Sequence, residues 1–399
     1  MNSREAPANV PLADLLDLAV PGALLPFSVL DAQGRLLLAA GKRLLDDDQL
    51  QALIERGGCV DPAEAEAARL AQAGLGAAAP PSAPAAAAPR QRTWFERMEK
   101  QVWLLDELLR SLQRATAKAA AVEAHADAYI ALVERQFDAA LYLCVRQDDR
   151  RVALYALTHA LHTATVALLT ARQLGWAPEA QRRVVLAALT MNASIVELQA
   201  RMAEQTDAPS QRQMAQIRAH PMQSALLLRN AGVEDAEWLG AVEQHHERAG
   251  GAGYPQGLSS VQPLGHLLRV ADVFTAKISP RAVRLALSPQ VAARQLFHEE
   301  QGGPMAAALI RAVGIYPPGD FVCLKNGDAG IVLQRAVPGR SAVVVSLFAA
   351  NRKPVASSPR RDTAVPEFAI TGALAERAGL PRVLPEQVYG LLDGDAPAA

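Results

Sequence analysis

The chain has 399 residues, half of them hydrophobic, with 40 basic and 41 acidic side chains; that length fits two or three domains. A net charge of −1 excludes a nucleic-acid coat protein and a polybasic membrane binder, while scarce aromatics beside abundant Ala and Leu point to a mainly helical protein. Cys59, Cys144 and Cys323 are widely spaced and form no Cys-x-x-Cys pair, as expected of free thiols in a reducing compartment.

Met1 to Leu12 lacks the cationic start and apolar core of a secretory signal. Leu24 to Leu30, the turn Asp31-Ala32-Gln33-Gly34 and Arg35 to Ala40 predict strand, tight turn, strand. Asp46 to Arg56 predicts a short helix capped by Asp47 or Asp48, which makes residues 1–62 a small α+β module. Residues 63–93 read as a linker built on the Ala/Pro-rich tract 73–92, which has no periodic face.

From Trp94 the pattern is helical, with Trp103, Leu104, Leu108 and Leu112 at helical spacing. Helical patterns continue from Leu154 to Leu309, with breaks expected at Gly175, Pro178, Pro221, Gly232 and the glycines after Gly250. The most apolar stretch, Val152 to Leu169, is short for a bilayer span and carries His159 and His162, so it reads as a buried core helix. With no membrane span, a cytoplasmic protein is expected. Residues 94–314 thus form one helical domain, and residues 315–399 a β-rich appendix and tail. In the appendix, Phe321–Leu324, Gly330–Leu333 and Ala342–Phe348 are strand-like, with turns at Asn326-Gly327 and Pro338-Gly339.

The chemistry concentrates between Gln244 and Leu258, Q-H-H-E-R-A-G-G-A-G-Y-P-Q-G-L. Two adjacent histidines and a carboxylate on a helix that ends in a glycine-rich loop could flank one metal cavity. The plain alternative is one buried and one exposed histidine at a helix C-terminus, where the dipole favours them.

This segment resembles H-H-E-x-x-D-G-x-G-Y-P, the signature of the HD-GYP branch of HD metal-dependent phosphohydrolases. Further landmarks extend the resemblance over about residues 150–310. Val270-Ala271-Asp272-Val273-Phe274 resembles V-A-D-V-Y, Arg281 and Arg284 fit the R-P-Y-R that follows, His220-Pro221 resembles an H-P dipeptide, and His159 the family's first histidine. The resemblance implies a helical HD-type domain that hydrolyses cyclic di-GMP with two or three iron or manganese ions. It also implies metal ligands at His159, His220, His245, His246 and Asp272. Glu247, Gly251, Gly253, Tyr254 and Pro255 would form the signature loop, with Arg281 and Arg284 facing ligand phosphates; Arg248 is a further candidate for ligand binding, and helix-surface salt bridging is the plain alternative for all three arginines.

The departures are specific. The A-A-L-L-H-D-I-G-K-I motif falls on Ala187 to Val196, so the namesake pair is Met191-Asn192 and the lysine is Ile195; Gly250 and Thr275 replace aspartates and Tyr155 a glutamate. A dinuclear site needs a carboxylate bridging its ions, which Asn192 cannot supply, and the thioether of Met191 is unsuited to iron(II) or manganese(II). This disfavours a dinuclear iron or manganese centre and leaves room for one zinc on His220, His245 and His246. Three functions remain open: a non-catalytic module that senses cyclic di-GMP or holds a protein partner through its signature loop; a phosphodiesterase with an altered metal site; or a scaffold, dimerised through the long helices, with a vestigial pocket. No nucleic-acid polymer is expected as partner.

Overall fold

The computed structural model describes residues 9–75, 92–147, 149–282, 285–355, 358–374 and 383–390. The N-terminal part holds strands β1 (Val10–Pro11), β2 (Val29–Leu30) and β3 (Leu36–Leu38), helix α1 (Asp47–Glu55), strand β4 (Cys59–Val60) and helix α2 (Pro62–Leu75). The strands form an antiparallel sheet in the order β1-β4-β2-β3.

The expected strand, turn, strand is present but shorter. Pro26 has no N–H to give a ladder, so of Leu24–Leu30 only Val29 and Leu30 pair as a strand. The turn closes through Asp31, whose Oδ1 accepts from the N–H groups of Gln33 and Arg35 at 2.9 and 3.0 Å. The cap of α1 is Asp46, not Asp47 or Asp48: its side chain accepts from the N–H of Gln49, while the other two lie inside the first turn. The first part of the expected linker is helical. Proline at the start and the run A-E-A-E-A-A-R-L supply helix propensity that the later prolines obscure. Residues 76–91 lie outside the described residues.

The central part is helical: α3 (Trp94–Gln113), α4 (Ala119–Arg135), α5 (Phe137–Val145), α6 (Tyr155–Gln173), α7 (Pro178–Thr190), α8 (Val196–Glu204), α9 (Gln211–Asn230), α10 (Ala236–Gln244), α11 (Pro263–Ile278), α12 (Pro289–Glu299) and α13 (Pro304–Val313). Capping boxes at Thr93/Glu96 and Ser210/Gln213 start α3 and α9, and α7, α11, α12 and α13 open on proline. Helix α6 lies at the centre, packed by α7, α11 and α13. The segment Arg151–Gln173 is long and apolar enough to cross a membrane, but 83% of its apolar window is buried among the other helices, as a core helix requires. One continuous hydrophobic core runs from Leu12 to Val313, so the N-terminal module and the helices share it.

The C-terminal part holds β5 (Phe321–Leu324), β6 (Ala329–Gln334), β7 (Val343–Phe348), β8 (Arg360–Asp362), β9 (Ile370–Ala373) and α14 (Pro385–Tyr389). Its sheet is antiparallel in the order β8-β7-β6-β5-β9. The three expected strands are there; the two edge strands were not expected. The sheet is seated on α5, where Tyr142 enters its core beside Phe321 and Ile331, and Arg335 pairs with Asp138 at 2.5 Å. Helix α14 ties both ends of the fold together. Tyr389 packs on Tyr142 and Phe95 at ring distances of 5.5 and 6.1 Å, and Glu386 meets Lys42 at 3.1 Å.

Candidate metal and ligand pocket

Helices α6, α9 and α11 and the turn after α10 bring the expected residues together. The rings of His220, His245 and His246 lie 4.2 to 5.0 Å apart, and their ligating atoms all fall within 4.8 Å of one another. Helix α10 ends at Gln244, so His245 and His246 sit in a turn rather than on the helix. The 100° separation of helical neighbours therefore does not apply, and both rings face the same side. His246 stacks in turn on Tyr254, with centroids 4.6 Å apart.

His220 and His245 are oriented by the same device. An imidazole donates best to the carbonyl three residues earlier where that carbonyl lacks its usual helical partner. Pro221 is not the expected break, since it lies inside α9, but it has no N–H to give Ile217. The freed Ile217 carbonyl accepts from His220 Nδ1 at 2.6 Å. The carbonyl of Val242 is left over by the end of α10 and accepts from His245 Nδ1 at 2.7 Å. With both Nδ1 atoms donating, both Nε2 atoms carry lone pairs, and these face each other at 3.0 Å. Two lone pairs at that distance repel unless a proton or a cation lies between them. Two nitrogens on one tetrahedral zinc stand about 3.3 Å apart, so the donor set fits a single ion with little movement. Burial, then the neighbouring His245, pushes His220 down to about 3, so this imidazole is neutral and able to ligate at ordinary pH. Burial lowers His245 and His246 as well.

The other half of the pocket is closed on itself. His159 Nε2 meets Asp272 Oδ1 at 2.7 Å. Burial works against the Asp272 carboxylate, but the hydrogen bond and charge of His159, with His246 and His245 nearby, hold it well below the usual range. Tyr155 lies flat on His159, with rings 5.3 Å apart at 8°, and the Arg281 guanidinium lies over the Tyr155 ring, 4.8 Å from its centroid, and bonds its hydroxyl. Thr275 bonds Thr163 at 2.8 Å between α11 and α6, Met191 is completely buried, and Asn192 and Ile195 are buried beside it.

The signature loop is braced by Glu247. Its carboxylate is buried and accepts from the backbone N–H groups of Gln256, Gly257 and Leu258 at 2.6, 3.1 and 3.0 Å. A Cβ at Gly253 would lie 2.3 Å from the Arg248 nitrogen, so only glycine permits this closure. Gly251 and Gly250 have φ of +82° and +83°, and Tyr254, which follows, stacks on His246. Arg248 is exposed on the loop, and Arg284 lies outside the described residues.

Several participants were not singled out from the sequence. Ser194 bonds Ser224 at 2.9 Å and the His220 carbonyl at 3.2 Å, fixing the segment after Asn192 to α9; the signal was available, because Ser224 lies one turn beyond His220. Arg269 pairs with Glu300, which also accepts from His266 at 2.6 Å. His125 is buried on α4, His266 is half-buried on α11 and His298 is exposed.

Residues 139–302 match the HD domain family (HD_5). Over 145 residues the chain is 32% identical to the cyclic di-GMP phosphodiesterase PA4108 of Pseudomonas aeruginosa, a stretch amounting to 35% of this chain. That stretch is 34% of the relative, so the chain spans about a third of its length. Among solved structures, Bd1817, a HDG"Y"P protein from Bdellovibrio bacteriovorus, is similar over 74% of this chain and 96% of its own, with a TM-score of 0.45 and 16% identity.

Proposed function

We propose that this chain, which belongs to the HD-GYP family of HD domains, is a non-catalytic member that recognises cyclic di-GMP, or a protein partner, through a pocket holding at most one metal ion. The observation that carries this reading is the asymmetry of the pocket. Three neutral imidazoles converge on one side, while on the other Tyr155 and Arg281 cover the His159–Asp272 pair, and Met191 and Asn192 stand in place of ligands. Two-metal hydrolysis depends on a nucleophile held between ions that share a bridging carboxylate. Asp272 is the one carboxylate the pocket retains from the expected ligand pattern, and its oxygen is engaged by His159.

His220, His245 and His246 would hold the ion, and zinc suits a neutral nitrogen donor set. Bound there, it would supply a Lewis-acidic centre for a phosphate oxygen. Arg281, already beside the pocket, would add a guanidinium fork for the same phosphate, and the exposed Arg248 a second cation at the loop. The arrangement is compatible with a cytoplasmic protein, where the free thiols also belong.

The test is to measure metal content, cyclic di-GMP affinity and turnover on one preparation, with iron(II), manganese(II) and zinc supplied in turn. Binding without release of linear pGpG or GMP is expected. Metal-dependent cleavage above background would instead establish a phosphodiesterase with an altered centre. The absence of both metal and nucleotide binding would leave a scaffold.

A further inference from the structure

A cleft of about 480 Å³ lies where the N-terminal module meets the helical domain, between the β2–β3 turn, the end of α1, α3, the start of α6 and α8. That volume falls in the range of small-molecule sites, about 300–1,000 Å³. Leu109, Leu157 and Val196 give it an apolar floor, and its rim is basic.

The charges on that rim are not all neutralised. Asp106 is only 3% exposed and serves two guanidiniums. Arg56 grips it through Nε and Nη2 at 2.8 and 2.6 Å, while Arg110 uses Nε alone, 3.2 Å from both oxygens. One carboxylate against two guanidiniums leaves a positive charge in excess, and the η nitrogens of Arg110 have no acceptor among the described residues. Across the cleft, Arg201 has Glu197 at 3.9 Å, too far for a hydrogen bond. Arg35, by contrast, is held by Asp31, Gln33 and Glu204 and serves as wall.

We propose that this cleft binds a small organic anion, separate from the histidine pocket: an apolar or aromatic body on the Leu109–Leu157 floor, with a phosphate or carboxylate on Arg110 and Arg201. Guanidinium η groups that make no hydrogen bond among the described residues suit either oxyanion, and the apolar floor selects for a body attached to it. Such a ligand would touch α6 between Tyr155 and His159, and Gln113 on the cleft wall, whose side chain donates to the Ala193 carbonyl at 2.7 Å beside Asn192.

The experiment titrates the full chain calorimetrically with phenyl phosphate and with benzoate, using inorganic phosphate and phenol as controls. One aromatic anion should bind with unit stoichiometry and more tightly than either control; which one wins identifies the oxyanion. Arg201→Gln, at an exposed position that the fold does not need, should weaken it at least about tenfold, the equivalent of one charge-assisted hydrogen bond. Arg110→Gln should do the same with the Arg56–Asp106 pair intact, and His245→Ala should leave it unchanged. The proposal fails if neither aromatic anion binds the wild type, if both arginine variants bind normally, or if His245→Ala abolishes binding and so places the anion among the histidines.

Discussion

Replacing Pro221 by Ala separates the stability of α9 from the readiness of its histidine. Alanine restores the N–H that Ile217 lacks, so the carbonyl now serving His220 Nδ1 regains its helical partner. A proline in a helix interior costs about 3 kcal/mol relative to alanine, and the displaced imidazole hydrogen bond is worth about 1 kcal/mol. The variant should therefore be more stable by about 2 kcal/mol, which for a protein of this size is a rise of a few °C in Tm. Metal affinity should move the other way. Without its acceptor, His220 is free to place its proton on Nε2, the atom that faces His245, and loss of such an orienting hydrogen bond typically costs about 10–100-fold in metal binding. Competition with a zinc-chelating dye gives the affinity, and the 13C shift of His220 Cδ2 reports the tautomer without metal. If Pro221→Ala binds zinc as tightly as wild type and keeps its proton on Nδ1, the orienting role of proline is wrong. If the wild type binds no zinc but the tautomer still shifts, only the metal reading falls.

Arg281→Ala should leave metal content unchanged and weaken cyclic di-GMP binding by about 1.5–3 kcal/mol in a direct titration, the worth of a charged hydrogen bond. Glu247→Gln replaces an acceptor of three backbone N–H groups with an amide that has only one oxygen; it should cost about 1–3 kcal/mol and make residues 248–258 the first site of limited proteolysis. Burial pushes His125 down to about 4, below its unfolded value of about 6.5. The unfolded chain therefore takes up the proton first, so this residue's effect on stability is constant above pH 6.5. Stability is then lost between about pH 6.5 and 4, by up to about 3 kcal/mol. The loss should appear in urea midpoints at pH 7 and pH 4.5 and be reduced by that amount in His125→Phe; an identical pH dependence in both proteins would contradict it.

What the sequence made legible was local. His220-Pro221 and the segment from His245 to Pro255 each lie within a turn or two of backbone, so each could be recognised as a motif; the resemblance implied their shared pocket, and the geometry brings them together. The Tyr155–His159 stack is one helical turn long, but the Arg281 that lies over Tyr155 was not legible, because it arrives from 126 residues away. Tyr155 was visible as a departure but not as a cover. The closing strands were missed for a different reason. Arg360–Asp362 is charged throughout and Ile370–Ala373 contains a glycine, so neither alternates; each is a strand because a neighbouring strand pairs with it. The burial of His125 was not legible, because a lone histidine on a helix carries no sequence sign of it.

The contacts of α14 also bear on how the chain folds. Lys42 meets Glu386 across 344 residues, and Tyr142 donates to the Val383 carbonyl across 241. Loop-closure entropy delays such pairings until the helices between them are in place. The helical core around α6, with its short-range neighbours, should therefore assemble first, and the docking of α14 should be a late step. Its rate would follow the compactness of everything already folded rather than the sequence of α14 itself.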